Sequence, residues 1–333
     1  MPALRASSPR ALFLSPSFFD YEVEIEQALV DDGYKVDFFD ERPTNSSLAK
    51  ALFRIGGRPV QILVRRYYDR ILKVTHANRY DLVLVIKGEV VPLRFLREIR
   101  RRNPNAHFVY YSFDAIPAGS NCTLLFDEFD ALYSFDPCNV AADDRLTLKP
   151  LFYSEHFSYP SQEGPRLHDL TFVGTMHSDR YRFVTKLFES FTRTYGFFYV
   201  PARWFFYFRK YASRSFAGVP TSAVSFSKLD KSAVAAIFQD SRAVLDLQRS
   251  AQSGLTMRTF EVLASGAVLV TGNKAIRQSD IFDPSRIVVV DDYDAVDAST
   301  RLREILDALP PLVGPPSGFE RYSVKNWVRD FIK

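Results

Sequence analysis

Short apolar runs recur along the first half of the chain, and stretches of helical period lie between them. Ala11 to Ser15 is apolar and ends in Pro16-Ser17, and Tyr34 to Phe39 alternates at its start, so both read as strands. Between them Val23, Ile25, Ala28 and Leu29 mark Glu22 to Asp32 as a helix, which Gly33 ends. Strand, helix, strand is the opening of a doubly wound α/β sheet. The alternation goes on with a long basic helix over Pro59 to Arg79 and a fully apolar strand over Asp81 to Ile86. A helix over Leu93 to Arg102 follows, then strands over His107 to Tyr111 and Asp130 to Phe135. Polar residues stand just past these strands, in Lys87-Gly88-Glu89, Ser112-Phe113-Asp114 and Asp136-Pro137. In open α/β sheets, ligands bind at that edge.

Ser158 to Arg166, with two prolines and a glycine, reads as a linker. The pattern then resumes with a strand over Asp169 to Val173, a turn at Gly174-Thr175-Met176-His177 and a helix over Arg180 to Arg193. Phe197 to Tyr211 is crowded with aromatics and arginine; as a helix its aromatics fall on nearly all sides. Partial burial and contact with a membrane or a lipid acceptor are its two readings. Lys231 to Gln239 is a helix, Ala243 to Leu247 a strand, and Gln248 to Ser253 a lead-in to the next loop. A strand over Ile287 to Val290 and a helix over Val296 to Leu309 follow, and Pro310 to Pro316 breaks the chain. The chain then ends in a helix over Phe319 to Ile332 that carries too much apolar surface to hang free. The 333 residues imply two domains, expected at 1–157 and 167–316, with a terminal helix at 317–333.

Ser253 to Gly272 is the most informative segment. Met257, Phe260, Leu263 and Ala264 recur at spacings of three and four, Thr256 is placed to cap that helix, and Gly266 to end it. Ala267 to Val270 is then a short apolar strand. Arg258 and Glu261 share a helical face outside the apolar stripe. A helix N-terminus suits a phosphate, and a carboxylate one turn further in suits vicinal hydroxyls such as those of a ribose. The alternative is an ordinary surface Arg–Glu pair.

Composition narrows the class. Hydrophobic content of 47% and charged content of 25% are those of a globular protein, with 30 Phe and 17 Tyr. A net charge of +4 permits an anionic ligand or membrane surface without calling for nucleic acid. Cys122 and Cys138 make neither a disulfide framework nor a zinc site. No apolar run reaches the ~18 residues of a membrane span, and Met1 to Arg10 lacks the core of a signal peptide. A cytoplasmic protein is expected, with peripheral contact at the inner face of a membrane as the reading of the aromatic–basic run.

Gly254-Leu-Thr-Met-Arg-Thr-Phe-Glu261, followed by Gly266 and its strand, resembles a run in the CgeB-like glycosyltransferases and related bacterial capsule and lipopolysaccharide proteins. Pro16 with Tyr21-Glu22, Asp40-Glu41-Arg42-Pro43, Lys87-Gly88, Tyr111-Ser-Phe-Asp114, Phe135-Asp136-Pro137 and Lys149-Pro-Leu-Phe-Tyr153 match that family in order. The resemblance implies a GT-B fold, with two Rossmann-like domains facing across a cleft and a C-terminal helix crossing back to the N-terminal domain. It implies transfer of a sugar from a nucleotide-sugar to a glycan or lipid-linked acceptor, without a metal or other cofactor. Gly174, Thr175, His177, Arg180, Gly254, Leu255, Thr256, Arg258 and Glu261 become the donor-binding candidates, with Arg180 as a mere surface charge the alternative. An acid on the N-terminal domain is wanted for the chemistry, and Asp114 stands first, Asp20 and Glu89 in reserve. The alternative role for Asp114 is a turn cap. Ser253 stands where many retaining relatives have a second Glu. A GT-B-like epimerase or phosphorylase, and a non-catalytic sugar-nucleotide-binding module, are the competing readings.

Overall fold

The computed structural model describes residues 8–44, 58–117, 119–160, 164–177, 179–247, 254–311 and 314–332. They form two compact units, Met1–Leu151 with Val324–Lys333, and Phe152–Ser323. Gln248 to Ser253, and with it the position of the missing second Glu, lies outside the described residues.

The first unit is built from β1 (Arg10–Ser15), α1 (Tyr21–Asp31), β2 (Lys35–Asp40), α2 (Arg58–Val74), β3 (Leu82–Ile86) and α3 (Leu93–Arg102). Then come β4 (His107–Ser112), β5 (Ala131–Ser134), α4 (Pro137–Ala142) and β6 (Thr147–Leu148). The six strands pair in the order β2-β1-β3-β4-β5-β6, all parallel. A strand covered on both faces needs apolar residues at every position, and β3, Leu-Val-Leu-Val-Ile, is buried throughout. Phe95, Leu96 and Ile99 of α3 pack on it with Phe108 and Tyr110 of β4. The strand order reverses between β1 and β3, and such a switch point opens a crevice at the carboxyl ends of the strands.

The second unit contains β7 (His168–Thr175), α5 (Arg180–Phe188), β8 (Thr194–Tyr199), α6 (Arg203–Tyr207), β9 (Val224–Ser225) and α7 (Lys231–Gln239). They are followed by β10 (Ser241–Asp246), α8 (Met257–Ala264), β11 (Val268–Thr271), β12 (Ile287–Val289) and α9 (Ala298–Ala308). Its parallel sheet runs β12-β11-β10-β7-β8-β9, the dinucleotide-binding order, with the switch point between β7 and β10.

Three details differ from the sequence reading. The helix expected to reach Arg193 stops at Phe188, and Thr194–Tyr199 is strand β8. Its Thr-Tyr-Gly-Phe-Phe-Tyr run favours a pleated, half-buried surface, and Arg193 ties its start to Asp169 on β7 at 2.6 Å. The Ser158–Arg166 stretch is packed into the second unit at both ends. Gln239 Nε2 donates to the Ser158 carbonyl at 2.7 Å, and the Arg166 guanidinium donates to the carbonyls of Gln239 and Ser265. Finally, the terminal helix is broken. Phe319–Tyr322 is a single 3-10 turn stacked with Phe260 and Tyr153 in the second unit, and Ser323 is extended. Only α10 (Val324–Arg329) belongs to the first unit. There Trp327 meets Tyr111 edge-on at 4.8 Å and donates its indole N–H to the Pro150 carbonyl at 2.9 Å. The apolar positions of the expected helix are thus divided between two cores.

Candidate functional site

In the second unit, Gly174 and Thr175 end β7 and Asp246 ends β10, on either side of the switch point. Arg180 opens α5 and spans it. Its guanidinium donates to the Thr175 carbonyl at 2.7 Å and to the Leu247 carbonyl, and it rests 5.7 Å over the Phe172 ring. It is a brace between strand ends, not a surface charge. His177 is half-buried and its carbonyl accepts from the Arg180 N–H at 2.9 Å.

The head of α8 is organised by a residue that the sequence reading passed over. The Thr256 hydroxyl does not cap the helix; it donates to the buried Asp246 carboxylate at 3.1 Å. The carboxylate is a charged acceptor, which strengthens the bond and turns the hydroxyl toward the end of β10, and among the described residues no N–H of the first turn donates to its oxygen. Gly254 is buried and Leu255 half-buried, and the Gly254 carbonyl faces the Asn273 amide, just past β11, at 3.4 Å. In the first turn of α8, the Arg258 guanidinium lies 4.9 Å over the Phe238 ring, and its Nε stands 4.0 Å from a Glu261 carboxylate oxygen. That is an ion pair but too long for a hydrogen bond. Arg258 Nη1 is buried without an acceptor among the described residues, and the Glu261 side chain is almost wholly buried. Tyr293 adds a second buried group without a hydrogen-bond partner among the described residues, its hydroxyl, whose pKa is pushed up by burial and then by the Asp246 charge. Asp246, Asn273 and Tyr293 were not singled out from sequence. An Asp closing a buried strand was the one signal available, since the loops that use it come from elsewhere in the chain.

The first unit gathers charge at its own switch point. Lys87, just past β3, has a φ of +72°, a left-handed conformation that strains a side-chain-bearing residue. Its ammonium stands 2.8 Å from Asp114 and 3.3 Å from Glu89, and Glu89 also accepts from Arg42 at 2.9 Å. Burial works against the Lys87 charge, but the hydrogen bond and charge of Asp114, with those of Glu89, outweigh it and raise the pKa. Asp114 therefore pairs with a cation through its side chain, and no hydrogen bond among the described residues has that carboxylate capping a turn. Glu41 is fully buried next to this group. One of its oxygens accepts the Glu89 N–H at 3.0 Å, and the other, 3.7 Å from Arg42, has no hydrogen-bond partner among the described residues. Burial pushes its carboxyl up to about 8, against the charge of Arg42. Asp114 and Glu89 are thus brought together on Lys87. Asp20 is exposed at the head of α1 with a φ of +60°, and no ion pair among the described residues joins it to them.

No curated protein matches the chain in sequence. The profile of a family described as glycosyl transferase-like matches residues 202–308, which include Gly254 to Glu261. Among solved structures, a glycosyltransferase from Rickettsia africae superimposes with a TM-score of 0.61 at 11% identity, over 98% of this chain and 93% of that one. Anabaena HepE, solved in complex with UDP and glucose, gives 0.59 at 10% identity, over 97% and 98%. The fold is GT-B. The two parallel sheets are its two Rossmann-like domains. A UDP-GlcNAc 2-epimerase from Methanocaldococcus jannaschii also shares the GT-B frame, with a TM-score of 0.54 at 8% identity over 97% and 98%.

Proposed function

We propose that the chain is a glycosyltransferase that takes its sugar from a nucleoside diphosphate donor and passes it to a glycan or lipid-linked acceptor in bacterial surface polysaccharide synthesis. The observation that carries this is the Arg258–Glu261 pair in the first turn of α8, its carboxylate buried and its guanidinium partly exposed, inside the glycosyl transferase-like stretch. Glu261 accepts from the ribose hydroxyls. Arg258, Arg180 and the α8 N-terminus set positive charge where the leaving diphosphate gathers negative charge. In the first unit, Asp114 or Glu89 takes the proton of the acceptor hydroxyl, with Lys87 holding both. The complex of Anabaena HepE with UDP and glucose supports a uridine diphosphate sugar as the first donor to try.

The test is a nucleotide series read by thermal shift, followed by nucleotide release with and without acceptor. Stabilisation by UDP, and sugar transfer only when an acceptor is present, is expected. Epimerised sugar nucleotide without acceptor would favour the second reading, which the shared frame with the epimerase supports. No stabilisation by any nucleotide would overturn both.

A further inference from the structure

The twelve residues 203–214 hold six aromatic side chains, four cations and no acid. The acid-free stretch extends from residue 190 to residue 229 and contains six cations, so in a chain of net charge +4 the remainder is net negative. The fold sorts these aromatics onto two faces. Phe206 is fully buried and Phe205 half-buried, and both meet Phe216 in the core of the second unit. Trp204, Tyr207, Phe208 and Tyr211 are 73%, 40%, 55% and 69% exposed. Their spacing of three, one and three places them on one stripe of a helix. Tyr207 and Tyr211 are stacked within it at 6.1 Å.

The stripe is held firmly. α6 continues into a π turn over Phe208–Ala212, and the Phe216 N–H returns to the Arg209 carbonyl at 3.1 Å. Arg209 lies over the rings of Phe205 and Phe216, and the Lys210 ammonium donates to the Val219 carbonyl at 2.8 Å. Those two cations serve the scaffold. Arg203 and Arg214, exposed, flank the stripe at its two ends.

We propose that this face docks the protein on an anionic membrane surface. Trp and Tyr settle at the headgroup level with their apolar bodies inward, and arginines flanking them meet the lipid phosphates. A second copy fits poorly, because a two-fold contact through the stripe would set like charges against one another. A stripe of rings facing one way, with cations at its ends, suits immersion in a plane. α6 starts just beyond the C-terminal end of β8, on the same edge of the sheet as the β7/β10 crevice. The docking stands on this geometry alone and does not depend on the proposed transfer.

The test uses the full chain with phosphatidylcholine vesicles, with and without phosphatidylglycerol, at low and high salt. Cosedimentation with the anionic vesicles alone, lost in high salt, is expected. The chain has two tryptophans and Trp327 is buried, so a blue shift of the fluorescence on binding reports Trp204. The triple variant Trp204→Ser, Phe208→Ser, Tyr211→Ser should keep the parent melting temperature and lose at least about tenfold in vesicle affinity. Arg203→Glu with Arg214→Glu should lose as much, since each cation near such a surface contributes about fivefold. Equal binding to neutral vesicles, or unchanged binding of the triple variant, would overturn the proposal. So would a dimer that the triple variant abolishes, or tighter binding to a single-stranded oligonucleotide than to vesicles, since these assign the stripe to another occupant.

Discussion

Glu41 lies inside a motif, Asp40-Glu41-Arg42-Pro43, that reads in sequence as a polar loop after a strand. Its burial comes from residues far along the chain: Tyr68 donates to its carbonyl and Glu89 to its carboxylate. No local pattern announces that, so its position past a strand was legible and its environment was not. The raised carboxyl has a consequence for stability. Its pKa is about 8 in the folded chain against an ordinary 4.5, so between those values the folded state holds a proton that the unfolded state releases. Stability from this group is complete below 4.5 and is lost as the pH rises through about 8. A difference of that size between the folded and unfolded carboxyl corresponds to a loss of roughly a few kcal/mol. Glu41→Gln keeps the shape and removes the titration. Its melting temperature should exceed that of the parent at the alkaline end of a pH series and fall less between the two pH values. Parallel curves for the two proteins would show that Glu41 titrates normally. The Thr256–Asp246 bond is a second contact hidden from sequence, ten residues apart and across a loop. Thr256→Val strips a donor from a buried carboxylate, so a loss of about 1–3 kcal/mol in denaturant unfolding is expected.

At the scale of elements, the strands that form the sheet centres were plain, because β1, β3 and β4 are buried almost throughout and read as unbroken apolar runs. Gly266 was also legible as a helix end: its φ is +74°, and a Cβ there would meet the Tyr159 ring at 2.5 Å. Three things escaped. β6 and β9 are two residues long, too short for any periodicity. β8 hides in an aromatic run whose strand half and helix half look alike in composition. The break at Ser323 depends on which core claims each side chain of the chain end. That division can be measured. Trp327 is buried among Tyr111, Phe331 and the Lys149 ammonium, whereas Arg329 pairs with Asp32 at 3.0 Å while itself half exposed. Trp327→Ala should cost about 3–5 kcal/mol. Arg329→Ala should cost about 1 kcal/mol or less, as exposed ion pairs do. Equal losses in urea unfolding would mean that α10 is fastened by its charges and not by its ring.

At the scale of the whole molecule, the charged groups fall into two sets, one in each unit, and the proposed transfer assigns them separate work. Under that proposal the Arg258–Glu261 pair in the second unit would bind the donor, and the Lys87, Glu89 and Asp114 group in the first would handle the acceptor proton. Substitutions should therefore separate binding from turnover. A nucleotide at a hundred times its dissociation constant stabilises the chain by about 2.7 kcal/mol. Glu261→Ala removes a hydrogen bond to a charged group, worth about 1.5–3 kcal/mol, and should weaken nucleotide binding about ten- to a hundred-fold. Asp114→Asn should leave the nucleotide-induced shift at its parent size, because Asp114 belongs to the other unit. An amide accepts no proton, so its turnover should fall about a hundred-fold or more. The Lys87 ion pair makes this comparison more demanding, since it already engages Asp114 at 2.8 Å and Glu89 at 3.3 Å. If Asp114→Asn turns over normally while Glu89→Gln does not, the proton goes to Glu89 and Asp114 only anchors the ammonium. If both variants are fully active with nucleotide binding intact, the charged group of the first unit serves the fold, and the base must be sought at Asp20, on the head of α1.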